Sequence, residues 1–189
     1  MDIECDAGCG VVPMRYRDKS YVNALQWCIG LETFLLMEDP WRIFLTTDHP
    51  NGAPFYTYPH LIRLLMDKSF RDDMLQKINP DAAANSIVGS LTREYSLDEI
   101  AIMTRAGPAR SLGLKNIGHL GAGACGDITV YRDDANREAM FAKPELVFKN
   151  GELVVRDGKV VKVVNGATHV ARPAYDKSIE KPLTDYFDR

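Results

Sequence analysis

The stretch Arg42 to Thr47, RIFLTT, followed at once by Asp48, constrains this chain more than any other feature. A short apolar run ending in paired threonines reads as a buried strand, and the acid, two prolines, asparagine and glycine behind it read as the loop at its mouth. Upstream, Tyr21 to Glu38 has helical spacing, with Val22, Leu25, Ile29 and Leu36 as its apolar markers and Asp39-Pro40 as its stop. Before that, GVVPMRY is a strand candidate. Strand, helix and strand with short joins is the repeat of a parallel α/β sheet or barrel.

Downstream, Pro59 opens a helix expected to reach about Ile78, with Leu61, Leu64, Leu65, Met74, Leu75 and Ile78 on its buried side. The polar stretch from Lys68 to Asp73 should bend or fray it. Ser96 and Glu99 stand in capping-box spacing and start a helix toward Arg105. Pro108 restarts helix, and Gly113 closes it.

The pattern changes at Gly118. GHLGAGACGDITVYR gives turn residues and then an alternating strand, with Ile128 and Val130 on one face and Thr129 and Tyr131 on the other. ELVFKNGELVVRDGKVVKVV holds three short β runs punctuated by Asn150-Gly151 and Asp157-Gly158, both type I′ hairpin signals. The glycines of GHLGAGACGD precede a strand rather than a helix and lack a following Gly-Lys-Ser/Thr, so they do not make a phosphate loop. The expected organisation is an α/β part over 1–117, an antiparallel β part over 118–165 and a surface tail over 166–189.

A strand count sets a limit on this organisation. Two or three parallel strands cannot close a barrel, and four or five antiparallel ones with no second sheet cannot close a sandwich. The expectation is the carboxyl-terminal piece of a longer protein, or a chain completed by a partner.

Composition narrows the function. The net charge of −3 and pI near 5.8 argue against non-specific nucleic-acid binding. No apolar run approaches the roughly 18 residues of a membrane span, and MDIECDAGCG lacks the basic and apolar regions of a signal peptide. The expected compartment is the cytoplasm. Cys5, Cys9, Cys28 and Cys125 include one C-x3-C spacing with no second pair to complete a zinc site, and no disulfide is expected.

Asp48 is the candidate catalytic carboxylate, because the carboxyl end of a barrel strand is where such residues sit. The alternative is that it caps the following turn. His49 is its neighbour, but adjacent strand residues point to opposite faces, so it need not share the site. His60, His119 and His169 are isolated in sequence, and no complete metal site is visible. Asn51 and the Gly52 backbone are candidates for a pocket rim.

Three stretches together carry a resemblance: TDHP after a strand, TRAGPARSLGL, and GHLGAGACGDITVY. They are similar to the carboxyl-terminal third of the amidohydrolase superfamily. Further strings, AGCGVVPMRYRDK, VNALQWCIGLE, FLTTDHPNGAPF, YPHLIRLLMD and REYSLDEIAIMTRAGPA, resemble one branch of it. That branch holds one component of formylmethanofuran dehydrogenase and the corresponding alpha component of the formyltransferase/hydrolase complex. The resemblance covers nearly the whole chain, up to about Asn165.

The resemblance implies a fragment of a TIM-like barrel plus strands of a small β-sandwich. It implies a dinuclear zinc centre held by an H-x-H, a carboxylated lysine, further histidines and one aspartate. Only the aspartate maps here, onto Asp48, as metal ligand and proton carrier. The other ligands are absent from these residues, so the isolated chain is expected to be inactive. The implied reaction forms or hydrolyses the formamide of N-formylmethanofuran, in company with the other subunits of such a complex. A cyclic-amide hydrolase and a non-catalytic scaffold are the alternatives.

Overall fold

The computed structural model describes residues 17–49, 52–168, 170 and 174–188. GVVPMRY up to Tyr16, Cys5, Cys9, Asn51 and His169 lie outside the described residues. Helices and strands mix along the chain, as the α/β reading expects, with most of the helices before the sheet, one between its first two strands and one after it.

Helix α1 spans Tyr21–Leu36. Its buried stripe is Ala24, Cys28, Leu31 and Leu35, at steps of four, three and four. The expected markers fall elsewhere: Val22, Ile29 and Leu36 are exposed, and Leu25 is half-buried. A helix apolar on most sides has more than one possible inner face, so periodicity alone does not choose the right one. The stop comes as expected. The Asp39 carboxylate accepts the Trp41 N–H at 3.0 Å and caps a 3-10 turn, Pro40–Arg42.

Residues 43 to 48 follow. Ile43 is extended, at φ −136° and ψ 137°, yet the segment pairs with no strand among the described residues. The expected strand RIFLTT is therefore an extended segment without a ladder. A β-strand exists only through its neighbours, and none of the described residues forms a ladder with this one.

A second 3-10 turn, Phe55–Thr57, runs into α2, Tyr58–Met66, with Pro59 in its first turn. The single helix expected to Ile78 is two. Asp67 breaks out to φ −132° and ψ 97°, and its carboxylate accepts the Phe70 N–H at 2.9 Å, capping α3, Lys68–Leu75. Leu64, Leu65 and Ile78 are buried as expected. Arg71 on α3 is wholly buried and donates to the carbonyls of Leu64 (2.8 Å), Leu91 (3.2 Å) and Arg93 (3.0 Å). It ties the end of α2 to the chain returning through 91–95.

Short α4, Pro80–Ala84, is capped by the Asn79 side chain, and a 3-10 turn spans Val88–Ser90. The Ser96 box then forms as spaced: Ser96 Oγ accepts the Glu99 N–H at 3.2 Å, and Glu99 Oε2 accepts the Ser96 N–H at 2.9 Å. It opens α5, Leu97–Ala101. A π-helical turn, Ile102–Ala106, joins α5 to α6, Gly107–Ser111. Gly113 ends the run at φ 71°, its N–H bonding to Arg110 O and that of Leu114 to Ala109 O.

The sheet is an antiparallel meander in the order β1-β2-β3-β4, made of Ile128–Val130, Leu146–Lys149, Glu152–Arg156 and Lys159–Val160. Both expected hairpins form, and Asn150, Gly151, Asp157 and Gly158 all have the positive φ that a type I′ turn demands. Between β1 and β2 lies a helix that the residue pattern does not announce, α7, Arg137–Ala142, capped by Asn136. α7 packs along α2, the most extensive contact between two helices among the described residues. The tail carries a 3-10 turn, Lys177–Ile179, and α8, Glu180–Phe187, whose residues are exposed. Among the described residues, no helix is long and apolar enough to cross a membrane.

Candidate functional site

Asp48 ends the extended segment in a left-handed conformation, φ 50°. Aspartate tolerates that region better than most residues, because its short polar side chain bonds locally. The turn behind it is tight. Gly52 N–H donates to Asp48 O at 2.8 Å, and Ala53 N–H donates to Thr47 O at 2.8 Å. Thr46 Oγ1 accepts the Asp48 N–H at 3.2 Å. A Cβ on Gly52 would lie 2.7 Å from Thr47 O and 3.1 Å from Asp48 Cβ, so only glycine fits.

The turn-cap alternative for Asp48 places its side-chain oxygens on nearby backbone N–H groups. Among the described residues the Asp48 carboxylate takes no such bond. The N–H groups of Asp48, Gly52 and Ala53 are taken by Thr46 and by main-chain carbonyls, and the Asp48 side chain is exposed. It opens onto a groove of about 730 Å³ whose walls are Ala24, Trp27, Leu31 and Phe34 of α1, Leu45 and Thr47 of the extended segment, and Leu61 and Leu65 of α2. Its titratable lining residues are Arg17, Asp18, Asp48, His60 and Lys77, beside the polar side chains of Asn23, Gln26, Thr46 and Thr57.

The other candidates separate from Asp48. His49 does not line the groove; its ring sits edge-on to Phe55 with centroids 5.4 Å apart. Gly52 does line it, as a rim residue should. His119 pins its own loop, with Nε2 3.0 Å from Lys115 O and Nδ1 accepting the Gly121 N–H at 3.1 Å. Cys28 is buried in the helical core, and that burial pushes its thiol above the usual range, away from thiolate chemistry. Cys125 Sγ accepts from Asn116 Nδ2 at 3.4 Å. The glycine-rich loop leads into β1 and is closed by Asp127, whose carboxylate takes Lys149 Nζ at 2.6 Å and the Asn150 N–H at 2.8 Å.

His60 joins the groove although it is isolated in sequence. A signal for it exists: it is the third residue of a helix opened by Pro59, and helical side chains lean toward the helix start. Its Nδ1 lies 3.4 Å from Glu138 Oε1 on α7.

The zinc pair implied by resemblance does not fit these residues alone. Among the described residues, no three His, Cys, Asp or Glu side chains gather where a metal could sit. Asp48 can offer one carboxylate, whereas a zinc site takes three or four protein ligands.

Residues 2–162 match the amidohydrolase family model. The chain is 45% identical over 179 residues to the A component of the formyltransferase/hydrolase complex Fhc of Methylorubrum extorquens, covering 95% of this chain and 33% of that protein. It is 46% identical over 175 residues to protein FwdA of Methanocaldococcus jannaschii, covering 88% of this chain and 31% of that one. A crystal structure of the FhcABCD complex of Methylorubrum extorquens with methylofuran contains a chain that superposes at a TM-score of 0.82, with 44% identity, over 94% of this chain and 33% of that one. The chain thus spans about a third of the length of these relatives. By the match over residues 2–162 and by these identities, it belongs to the amidohydrolase family.

Proposed function

We propose that this chain is the carboxyl-terminal part of an amidohydrolase subunit that hydrolyses or forms the formamide of N-formylmethanofuran, giving or consuming formate and the free amine. The reading assigns 1–117 to the closing part of a TIM-like barrel, 118–165 to part of a small β-sandwich and 166–189 to a tail. Its setting is a cytoplasmic complex whose other subunits meet the chain, and the amino-terminal part of the same polypeptide supplies the rest of the site.

The observation that carries the reading is Asp48. A carboxylate with no backbone partner among the described residues stands at the end of an extended segment, in a glycine-dependent turn, on the margin of an apolar groove. The name of the Methylorubrum extorquens relative, a subunit of a formyltransferase/hydrolase complex, supports a formamide over a cyclic amide in this reading.

Zinc, if bound, would take Asp48 as its one ligand from this chain and would supply an activated water. The chain's own contribution is a proton carrier. The Asp48 carboxylate takes a proton from the attacking water and returns it to the departing amine nitrogen, so that the amine leaves neutral. The left-handed backbone and the Gly52 bond hold the turn that carries that carboxylate in place.

The test is Asp48→Asn in the complete enzyme. Asparagine keeps the left-handed turn and the side-chain volume and removes the basic oxygen, so turnover of formylmethanofuran should fall by at least ~10³-fold with the fold intact. Near-normal turnover would overturn the assignment.

A further inference from the structure

The residue pattern divides the chain at 117/118, and one charged cluster crosses that division. His60 Nδ1 is 3.4 Å from Glu138 Oε1, and Arg63 Nη1 is 3.8 Å from Glu138 Oε2. Arg63 Nε in turn lies 3.2 Å from Asp67 Oδ2, and its guanidinium stacks 3.9 Å over the Phe70 ring. The same ring meets His60 edge-on at 5.2 Å. One carboxylate of α7 therefore faces two residues a turn apart on α2, both backed by one aromatic ring on α3.

The first turn of α2 is not an arbitrary place to be held. It continues the 3-10 turn Phe55–Thr57, where Thr57 Oγ1 donates to Pro54 O at 2.7 Å. That turn follows Gly52 and Ala53, which bond back to Asp48 and Thr47. His60 itself lines the groove on which Asp48 opens. Fixing the start of α2 thus fixes one end of a loop whose other end is Asp48.

We propose that Glu138 is a positioning residue for the Asp48 loop, holding the first turn of α2 against α7 through His60 and Arg63. The sheet part would then serve the site by anchoring the segment behind its carboxylate. The functional side of this rests on the reading of Asp48 as the reacting acid; the mechanical side does not.

Amide hydrogen exchange on the 189-residue chain tests the mechanical side. In Glu138→Ala the amides of 52–58 should exchange about two- to five-fold faster, the size a half-exposed ion pair supports. His60→Ala should do the same, and the double variant should add little to either. Glu138→Asp should recover part of the protection. Arg132→Ala, which breaks the exposed Arg132–Glu145 pair on the sheet side, should leave 52–58 unchanged. Unaltered exchange over 52–58 in Glu138→Ala, or acceleration confined to α7, overturns the proposal.

In the complete enzyme, Glu138→Ala should lower kcat several-fold with KM little changed, and Glu138→Asp should restore part of it. If Asp48→Asn proves active while the exchange pattern holds, the reading of Asp48 fails and the joint stands. Equal loss of kcat in Glu138→Ala and Arg132→Ala would mean a general packing effect and would overturn the positioning role.

Discussion

The N–H of Gly52 reaches the carbonyl oxygen of Asp48 at 2.8 Å, and the Cα of Gly52 has no room for a single methyl group. The turn that presents the acid is therefore closed by a residue that cannot be replaced without moving what it presents.

Gly52→Ala is expected to displace the Asp48 turn while sparing the helical core. Far-UV circular dichroism should be unchanged, amide resonances of 46–53 should shift, and turnover of the complete enzyme should drop at least ~10-fold, since an ångström of misplacement costs that or more. Unshifted resonances in this variant would show that the turn has slack.

Arg71 offers a stability test away from the site. Burial lowers its pKa below the ordinary arginine value, and Asp72, Glu94 and Asp67 oppose that shift. Arg71→Met should cost about 3 kcal/mol, because it leaves the buried carbonyl of Leu64 and the half-buried carbonyls of Leu91 and Arg93 without their donor. Urea unfolding followed at the two tryptophans measures it. A loss under ~1 kcal/mol would mean that water replaces the guanidinium.

Glu99 should give stability an acid limb. Its burial raises the carboxyl pKa, but the Ser96 N–H and hydroxyl and the Arg93 guanidinium outweigh it and leave it below the ordinary glutamate value. A depressed folded pKa means the stabilisation is present above the unfolded value and fades as pH falls through the folded one. Glu99→Gln should flatten that part of the stability curve and leave the slope at neutral and mildly alkaline pH unaltered.

Tyr95 should act at the other end. Its hydroxyl donates to Phe34 O, and burial raises its pKa, with Arg93 opposing. A raised folded pKa means the stabilisation is complete below the unfolded value of about 10 and is lost as pH rises through the folded one. Tyr95→Phe should be less stable at neutral pH by about 1 kcal/mol and should lose the alkaline slope seen in the parent.

Local chemistry is legible in the sequence, and so is the acid at the end of RIFLTT. The Ser96 box, the Gly113 stop and the two I′ hairpins are each set by a few adjacent residues, and each forms as spaced. What depends on distant neighbours is not legible. RIFLTT has a strand's composition, but nothing within the run itself says whether another strand lies beside it. The inner face of α1 is ambiguous because Val22 and Ile29 are as apolar as Leu31 and Leu35, and only packing chooses between them. The break at Asp67 is hidden because an aspartate can sit in a helix or cap the next one. Helix α7 is masked by the β signals on either side, although Asn136 is a capping residue at the right place. The pairing of His60 with Glu138 joins residues far apart in the chain and has no local trace.

The π-helical turn at Ile102–Ala106 sets the angular position of everything that follows it. Gly107, the next residue, lies so close to Phe44 that a Cβ there would be 2.7 Å from Cε1 of the ring. The extra residue in that turn works as an angular spacer. Closing the same five residues as ordinary α, at about 100° each, would swing Gly107 by about 90° about the axis, because the wider π turn spends one residue more per revolution. A side chain would then face Phe44 in place of the notch. This stretch of the family signature therefore depends on the width of its turn as well as on the glycine, and closing that turn as ordinary α at unchanged length would dislodge the segment that ends at Asp48.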